Sequence, residues 1–369
     1  MLDESKQSDR PAQFDQLADL VEQQLLPGAT DVDRSGAFPA ANIASLAELG
    51  WFAMVVPAGS GGLGLTSAEG RSALRLLSSG CGATTFAFAQ HHGATGAVAS
   101  TKNDDLRQQW LPRLLTDTLA GTAFAHVRRP GPPVLRAVAE GEGWVLSGVA
   151  PWVTSWGHAE VLTVAAKTDD GQLVWALVPA TEGPGLLVDK WFDLMVFQAT
   201  QTVALRFDSL PVKPEQVLSV SDFGRWAVRD RALSARPSPL CLGIGDRAIA
   251  ELDLVAPDTA AAMKPWWVEQ HEAAEAQCQR VDEAIADKAV DDDLVASTAG
   301  ARTSALLAVQ QLTTTLLAAS GGAAIEAGHT AQRLSREALF YVIQAQSPDG
   351  KAATLERLRP RIGGASRPR

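Results

Sequence analysis

Twice along this chain the spacing of apolar residues changes period, and that double switch constrains the fold more than any other feature. Near the start, Phe14, Leu17, Leu20, Val21 and Leu25 fall at helical spacing, and Pro27-Gly28 is expected to end the run. Asn42 to Leu49 repeats the pattern, a Gly-rich loop follows at 57–65, and helix resumes over Ser67 to Ser79, with Thr66 or Ser67 as N-cap and Glu69 in the first turn. Thr84 to Ser100 and Asp104 to Leu115 extend it. After Gly121 the texture becomes β-like: Trp144 to Leu146, Val161 to Ala166, Leu173 to Val178, Leu186 to Val188 and Thr202 to Phe207 are short, β-branched and separated by turn signals. Beyond Pro214 the β signal is expected to vanish, and Ala/Leu-rich stretches at 222–255, 262–289, 293–320 and 330–345 predict a helical bundle. The expected architecture is α+β in three domains: an N-terminal helical domain (1–118), a middle β-barrel or sandwich domain (119–218) and a C-terminal four-helix bundle (219–369).

Composition narrows the function classes. The 369 residues carry a formal net charge of -10, which repels a polyphosphate backbone and argues against a nucleic-acid partner. Cys81, Cys241 and Cys278 show no CxxC spacing, so neither a zinc site nor a disulfide framework is predicted, and a reducing compartment, the cytoplasm, is expected. The polar start, MLDESKQSDRPAQF, lacks the apolar core of a secretory signal, and no stretch reaches about 18 unbroken apolar residues, so no membrane association is expected. Asp291-Asp-Asp293 lacks the Gly and Glu of a calcium loop and is read as a solvated helix start, leaving no metal site.

Local strings then sharpen the reading. Leu46-Ala-Glu-Leu-Gly-Trp51 runs into Val56-Pro57 and Gly61-Gly-Leu-Gly-Leu65. Leu111-Pro-Arg-Leu-Leu115 precedes Gly121-Thr-Ala-Phe-Ala125, and Gly143-Trp-Val-Leu-Ser-Gly148 leads to Trp152-Val-Thr154. Phe207-Asp208 stands before Val212, and Gly321-Gly322 before Arg333 and Arg336. In this order and spacing, from about residue 15 to residue 345, the chain resembles the acyl-CoA dehydrogenase family. The resemblance implies that family's fold, bound FAD, an acyl-CoA or related acyl thioester as substrate, a place in fatty acid metabolism, and assembly as a homo- or hetero-oligomer, dimer or tetramer.

The segment GVAPWVTSWG (148–157) is similar to the family stretch in which an aromatic ring flanks the flavin ring system and a hydroxyl two residues on meets its edge. Residues i and i+2 of a strand share a face, so Trp152 and Thr154 are expected to address one planar ligand. The plainer readings are a core aromatic and a β-propensity threonine. The resemblance also assigns His126, Val127 and Arg128, and Gly321 and Gly322, to the cofactor site.

Elsewhere the family pattern is damaged. Arg128-Arg-Pro-Gly131 stands where the family has Thr-Glu-Pro-Gly, and Val134 replaces a serine that would donate to the cofactor phosphates. The forked donors of Arg128 and Arg129 suit phosphate, the alternative being a solvated turn. The family reaction also needs a carboxylate to take the weakly acidic proton beside the thioester, within hydrogen-bond reach. Ala345 occupies one usual Glu position and Leu233 the other, so no catalytic residue is assigned. Glu337 and Glu326 are nearby in sequence; Glu337 is expected to pair structurally. Met263-Lys-Pro-Trp-Trp267 replaces the Arg-x-x-Phe-Gly that reaches the adenine half of FAD, and Ala318 replaces an expected Gln. His91-His92 reads as packing or pocket lining, and His126 as a lone histidine near the ring. Four functions follow: an FAD oxidoreductase acting on an acyl thioester; the base-deficient subunit of a heteromeric dehydrogenase; a flavin-dependent monooxygenase; or a scaffold keeping only the fold.

Overall fold

The computed structural model describes residues 10–359. Helix α1 (Arg10–Leu20) passes through a π-helical turn (Val21–Leu25) directly into α2 (Leu26–Ser35). Pro27 does not stop the run as expected. It lies in the first turn of α2, behind the widened π turn, where its missing N–H and its ring cost least. The helix ends instead at Gly36, in left-handed conformation. Then come α3 (Ala40–Glu48), α4 (Ser67–Gly80), α5 (Gly82–Ser100) and α6 (Asp104–Leu114). The Thr66 cap is realised as a reciprocal box: the Thr66 hydroxyl accepts from the Glu69 N–H at 3.2 Å, and the Glu69 carboxylate accepts from the Thr66 N–H at 2.7 Å.

Eight strands follow: β1 (Ala120–Ala123), β2 (Leu135–Glu140), β3 (Gly143–Val153), β4 (Val161–Lys167), β5 (Gln172–Pro179), β6 (Leu186–Trp191), β7 (Val203–Val212) and β8 (Val217–Asp222). Their order is β6-β7-β3-β2-β4-β5-β8, with β1 beside β4. The path is open from β6 to β8, so the sheet is not closed as a barrel. Its two halves, β6-β7-β3-β2 and β1-β4-β5-β8, join at the single pairing of Arg136 with Lys167. Leu162, Val164 and Ala166 of β4 share one apolar cluster with Leu135, Leu146, Leu186, Leu205 and Phe207 of the other half, so the sheet buries its inner face against itself. Val161 and Ala165, of opposite parity, face the helices. Strand β8 corrects the expectation that β structure ends at Pro214. It is an edge strand whose exposed Ser219, Ser221 and Asp222 hide the apolar alternation.

The expected stretch 222–255 is two helices, α7 (Phe223–Ala235) and α8 (Pro239–Val255), because Pro237 and Pro239 break it. Helices α9 (Pro257–Ala286), α10 (Asp292–Ser320), α11 (Thr330–Ile343) and α12 (Pro348–Leu358) complete the bundle. Asp291 is the expected helix start: its carboxylate caps α10 by accepting from the Leu294 N–H at 2.7 Å. The two helical parts share one core. Leu17, Leu46, Trp51 and Leu77 belong to the same buried cluster as Ile244, Leu252, Leu312 and Tyr341. Gly243 of α8 allows this closeness, since a Cβ there would stand 2.2 Å from the Arg75 carbonyl oxygen of α4. No helix among the described residues is long and apolar enough to cross a membrane.

Candidate functional site

The segment after β3 departs from regular strand geometry. Pairing between β3 and β7 slips between Ala150 and Val153, and Trp152 takes a left-handed φ of 64°, as does Ser155. A bulky residue there costs roughly 1–2 kcal/mol. The common-face argument for Trp152 and Thr154 therefore does not hold, because the bulge re-aims the side chains. Trp152 is 50% exposed and stacks on Phe192, with ring centroids 4.1 Å apart and planes at 10°. Thr154 is buried, and its hydroxyl has no partner within the chain. The indole is therefore not a core aromatic, and Thr154 carries an unfilled polar valence.

His126 and Val127 lie in a 3₁₀ turn (Ala125–Arg128) between β1 and β2, and both are buried. The His126 Nε2–H donates to the Ala165 carbonyl at 2.8 Å, which leaves Nδ1 as a buried acceptor with no partner. Burial drives the imidazole pKa down to about 4, and the Arg129 and Lys167 charges push the same way, so the ring is neutral at pH 7. Val127 packs on Ala165 and Leu173.

Arg128 is neither a solvated turn nor a free phosphate binder. Its Nε and Nη2 donate to the two carboxylate oxygens of Asp230 on α7, at 2.8 and 2.9 Å, and its guanidinium lies 4.9 Å from the centre of the Phe124 ring. The fork expected to meet phosphate is filled by a carboxylate of the same chain. Gly321 and Gly322 follow α10, both exposed. Gly321 has φ 61° and ψ -147°, a region that glycine alone adopts readily, so its presence is explained by the backbone.

The two carboxylate positions are empty as read from sequence. Ala345 sits just past α11 with φ 49°, and Leu233 is half-buried on α7. Glu337 pairs structurally as expected, accepting from Arg333 Nη1 at 3.2 Å with both side chains buried. Burial raises its carboxyl above the usual range against the pull of Arg333, and its second oxygen is unpartnered, held where a Cβ on Gly82 would come within 2.8 Å. Glu326 is exposed. His91 is a packing residue: Nδ1 accepts from the Ala120 N–H at 3.2 Å, and Nε2 lies 3.3 Å from the Phe52 carbonyl and 3.0 Å from the Thr95 hydroxyl. Both nitrogens of buried His92 are without partners. Sequence reasoning missed Asp230 and Phe192, which carry no local motif and meet Arg128 and Trp152 only through the fold.

The family profile described as "Acyl-CoA dehydrogenase, N-terminal domain" matches residues 9–118. The short-chain specific acyl-CoA dehydrogenase of Bos taurus mitochondria is 28% identical over 214 residues, 56% of this chain and 52% of that protein. The chain thus spans about half the length of the curated relative it matches. Butyryl-CoA dehydrogenase from Megasphaera elsdenii superposes with a TM-score of 0.74 over 94% of this chain and 97% of that one, at 19% identity. The chain has the acyl-CoA dehydrogenase fold, and over residues 9–118 it matches that family's N-terminal profile. The same fold holds enzymes of other kinds: a dibenzothiophene monooxygenase from Paenibacillus sp. A11-2 superposes with a TM-score of 0.74 over 92% and 95% of the two chains, at 17% identity. Of the sequence expectations, the resemblance to that family and the helical, β, helical architecture stand. The barrel alternative does not.

Proposed function

We propose that this protein is a flavin-dependent oxidoreductase that binds FAD, acts on an acyl thioester in the cytoplasm, and works in an oligomer whose proton-accepting carboxylate comes from another chain. The domain division at about 118 and 218 is part of that reading, with the cofactor between the sheet and the bundle. Bound flavin would supply the hydride acceptor. The carrying observation is the pairing of a half-exposed indole at Trp152 with a buried, unpartnered hydroxyl at Thr154. An apolar ring face needs the first, and a polar ring edge answers the second. His126 Nδ1 adds an acceptor suited to an N–H donor, and Val127 an apolar wall. The fit is poorer at the phosphates, since Arg128 is held by Asp230 and Val134 has no side-chain donor. With Ala345 and Leu233 at the two Glu positions, this chain binds and orients but has no group there to receive the proton.

The test is to purify the chain alone and with candidate partner chains, record flavin absorbance, and add butyryl-CoA. Bleaching only in a mixture is expected. Full bleaching by the isolated chain would overturn the division of labour between chains. The empty base positions and the fold shared with a monooxygenase favour a second reading, oxygen-dependent chemistry, for which turnover would require a flavin reductase and oxygen.

A further inference from the structure

Backbone strain is concentrated in one place. Seven non-glycine residues of the described chain have left-handed φ, and four of them, Trp152, Ser155, Phe197 and Gln201, lie in two segments hydrogen-bonded to each other. The Ser155 N–H donates to the Thr200 carbonyl at 2.7 Å and the Trp156 N–H to the Gln201 carbonyl at 3.2 Å, while Gln201 Nε2 donates to the Gly36 carbonyl at 2.7 Å. Such strain persists only where the surroundings over-determine it. These bonds hold a large apolar side chain half in water, which a structural role alone would not require. Buried Thr154 and Ser155 beside it both have unpartnered hydroxyls.

The Phe192 ring fixes which face of the indole is covered. One of its faces meets Trp152, and the Lys190 Nζ stands 5.1 Å from its centre. Its N–H is anchored on the Thr202 carbonyl at 3.2 Å. Phe192 is therefore tied at its backbone and stacked against the indole. We propose that Phe192, assisted by Lys190, is a positioning residue that holds the Trp152 indole with its opposite face open, and that this open face stacks the planar ring of the ligand. The identity of that ring as a flavin rests on the function proposed above.

The probe is riboflavin, which carries the ring without phosphates, followed by quenching of its emission on binding, with FAD in parallel. Phe192→Ala is expected to weaken riboflavin binding up to about tenfold, the scale of one aromatic pair, and Phe192→Tyr to restore it. A purely structural role would be marked by loss of thermal stability that Tyr repairs without any binding defect in the folded Ala variant. Equal binding and quenching by folded Phe192→Ala would overturn the inference while the flavin reading stands. If the unmodified protein binds neither riboflavin nor FAD, the flavin reading and the ring-binding half of this inference fail together. Near-ultraviolet circular dichroism then judges the holding role, which requires one aromatic band lost in both Trp152→Phe and Phe192→Ala; a band unchanged in Phe192→Ala overturns it.

Discussion

The two ends of the candidate site are built on opposite principles. At the strand end, residues 152–155 leave hydroxyls of Thr154 and Ser155 buried and unpaired, on a strained backbone. At the loop end, Arg128 is paired within the chain: two hydrogen bonds to Asp230 tie the 3₁₀ turn to helix α7, and the guanidinium lies over the Phe124 ring. An unfilled buried donor is a cost that a ligand can remove, while a filled ion pair is a contact that a ligand must break. The first end can be completed by something from outside the chain, as the proposed function requires. The second is closed by the chain itself.

The largest test of this contrast breaks the closed end. Asp230→Ala leaves Arg128 without its partner at a mostly buried position, and a loss of about 2–3 kcal/mol is expected, between surface and fully buried pairs. Urea midpoints of both single variants and the double variant measure it. A double variant as unstable as the two losses summed would show that the pair does not couple.

Next in size is a pH effect from His126. Its folded pKa of about 4 lies below the ordinary 6.5, so the unfolded chain binds more protons between these values. Its contribution is present above pH 6.5 and is lost as pH falls toward 4. At pH 5 the loss from this one group is about 2 kcal/mol. Substituting His126→Gln should flatten that part of the stability curve, and an unchanged slope between pH 7 and pH 5 would show that the ring is not held neutral.

The smallest effect has the opposite sign. Thr154→Val replaces a buried, unpaired hydroxyl with a methyl of similar shape, so unfolding should move upward or stay level, by about 1 kcal/mol at most. Flavin affinity should fall in the same protein. A destabilised variant would mean that the hydroxyl is already satisfied in the free chain.

Much of this architecture was legible in the sequence, and the failures have definite causes. Helix and strand regions followed from apolar period, and the Thr66–Glu69 box and the Asp291 cap from local chemistry that needs only neighbouring residues. The empty positions at Ala345 and Leu233 were equally visible. Arg128 was misread because its partner is 102 residues away, a distance that no local pattern reports. The strand-face argument at Trp152 failed because a bulge is decided by pairing with β7, and nothing in Trp-Val-Thr announces a left-handed tryptophan. Strand β8 was lost to its serines, and Pro27 was overruled by a π turn.

One consequence of the common helical core concerns synthesis. Leu17 and Trp51 belong to one buried cluster with Leu312 and Tyr341, which come more than 250 residues later in the chain. On the ribosome, the first helices emerge long before the surface that completes them exists. Their shared core stays incomplete until the bundle has been made, so separating the N-terminal helices from the bundle should release aggregating fragments rather than a stable smaller body.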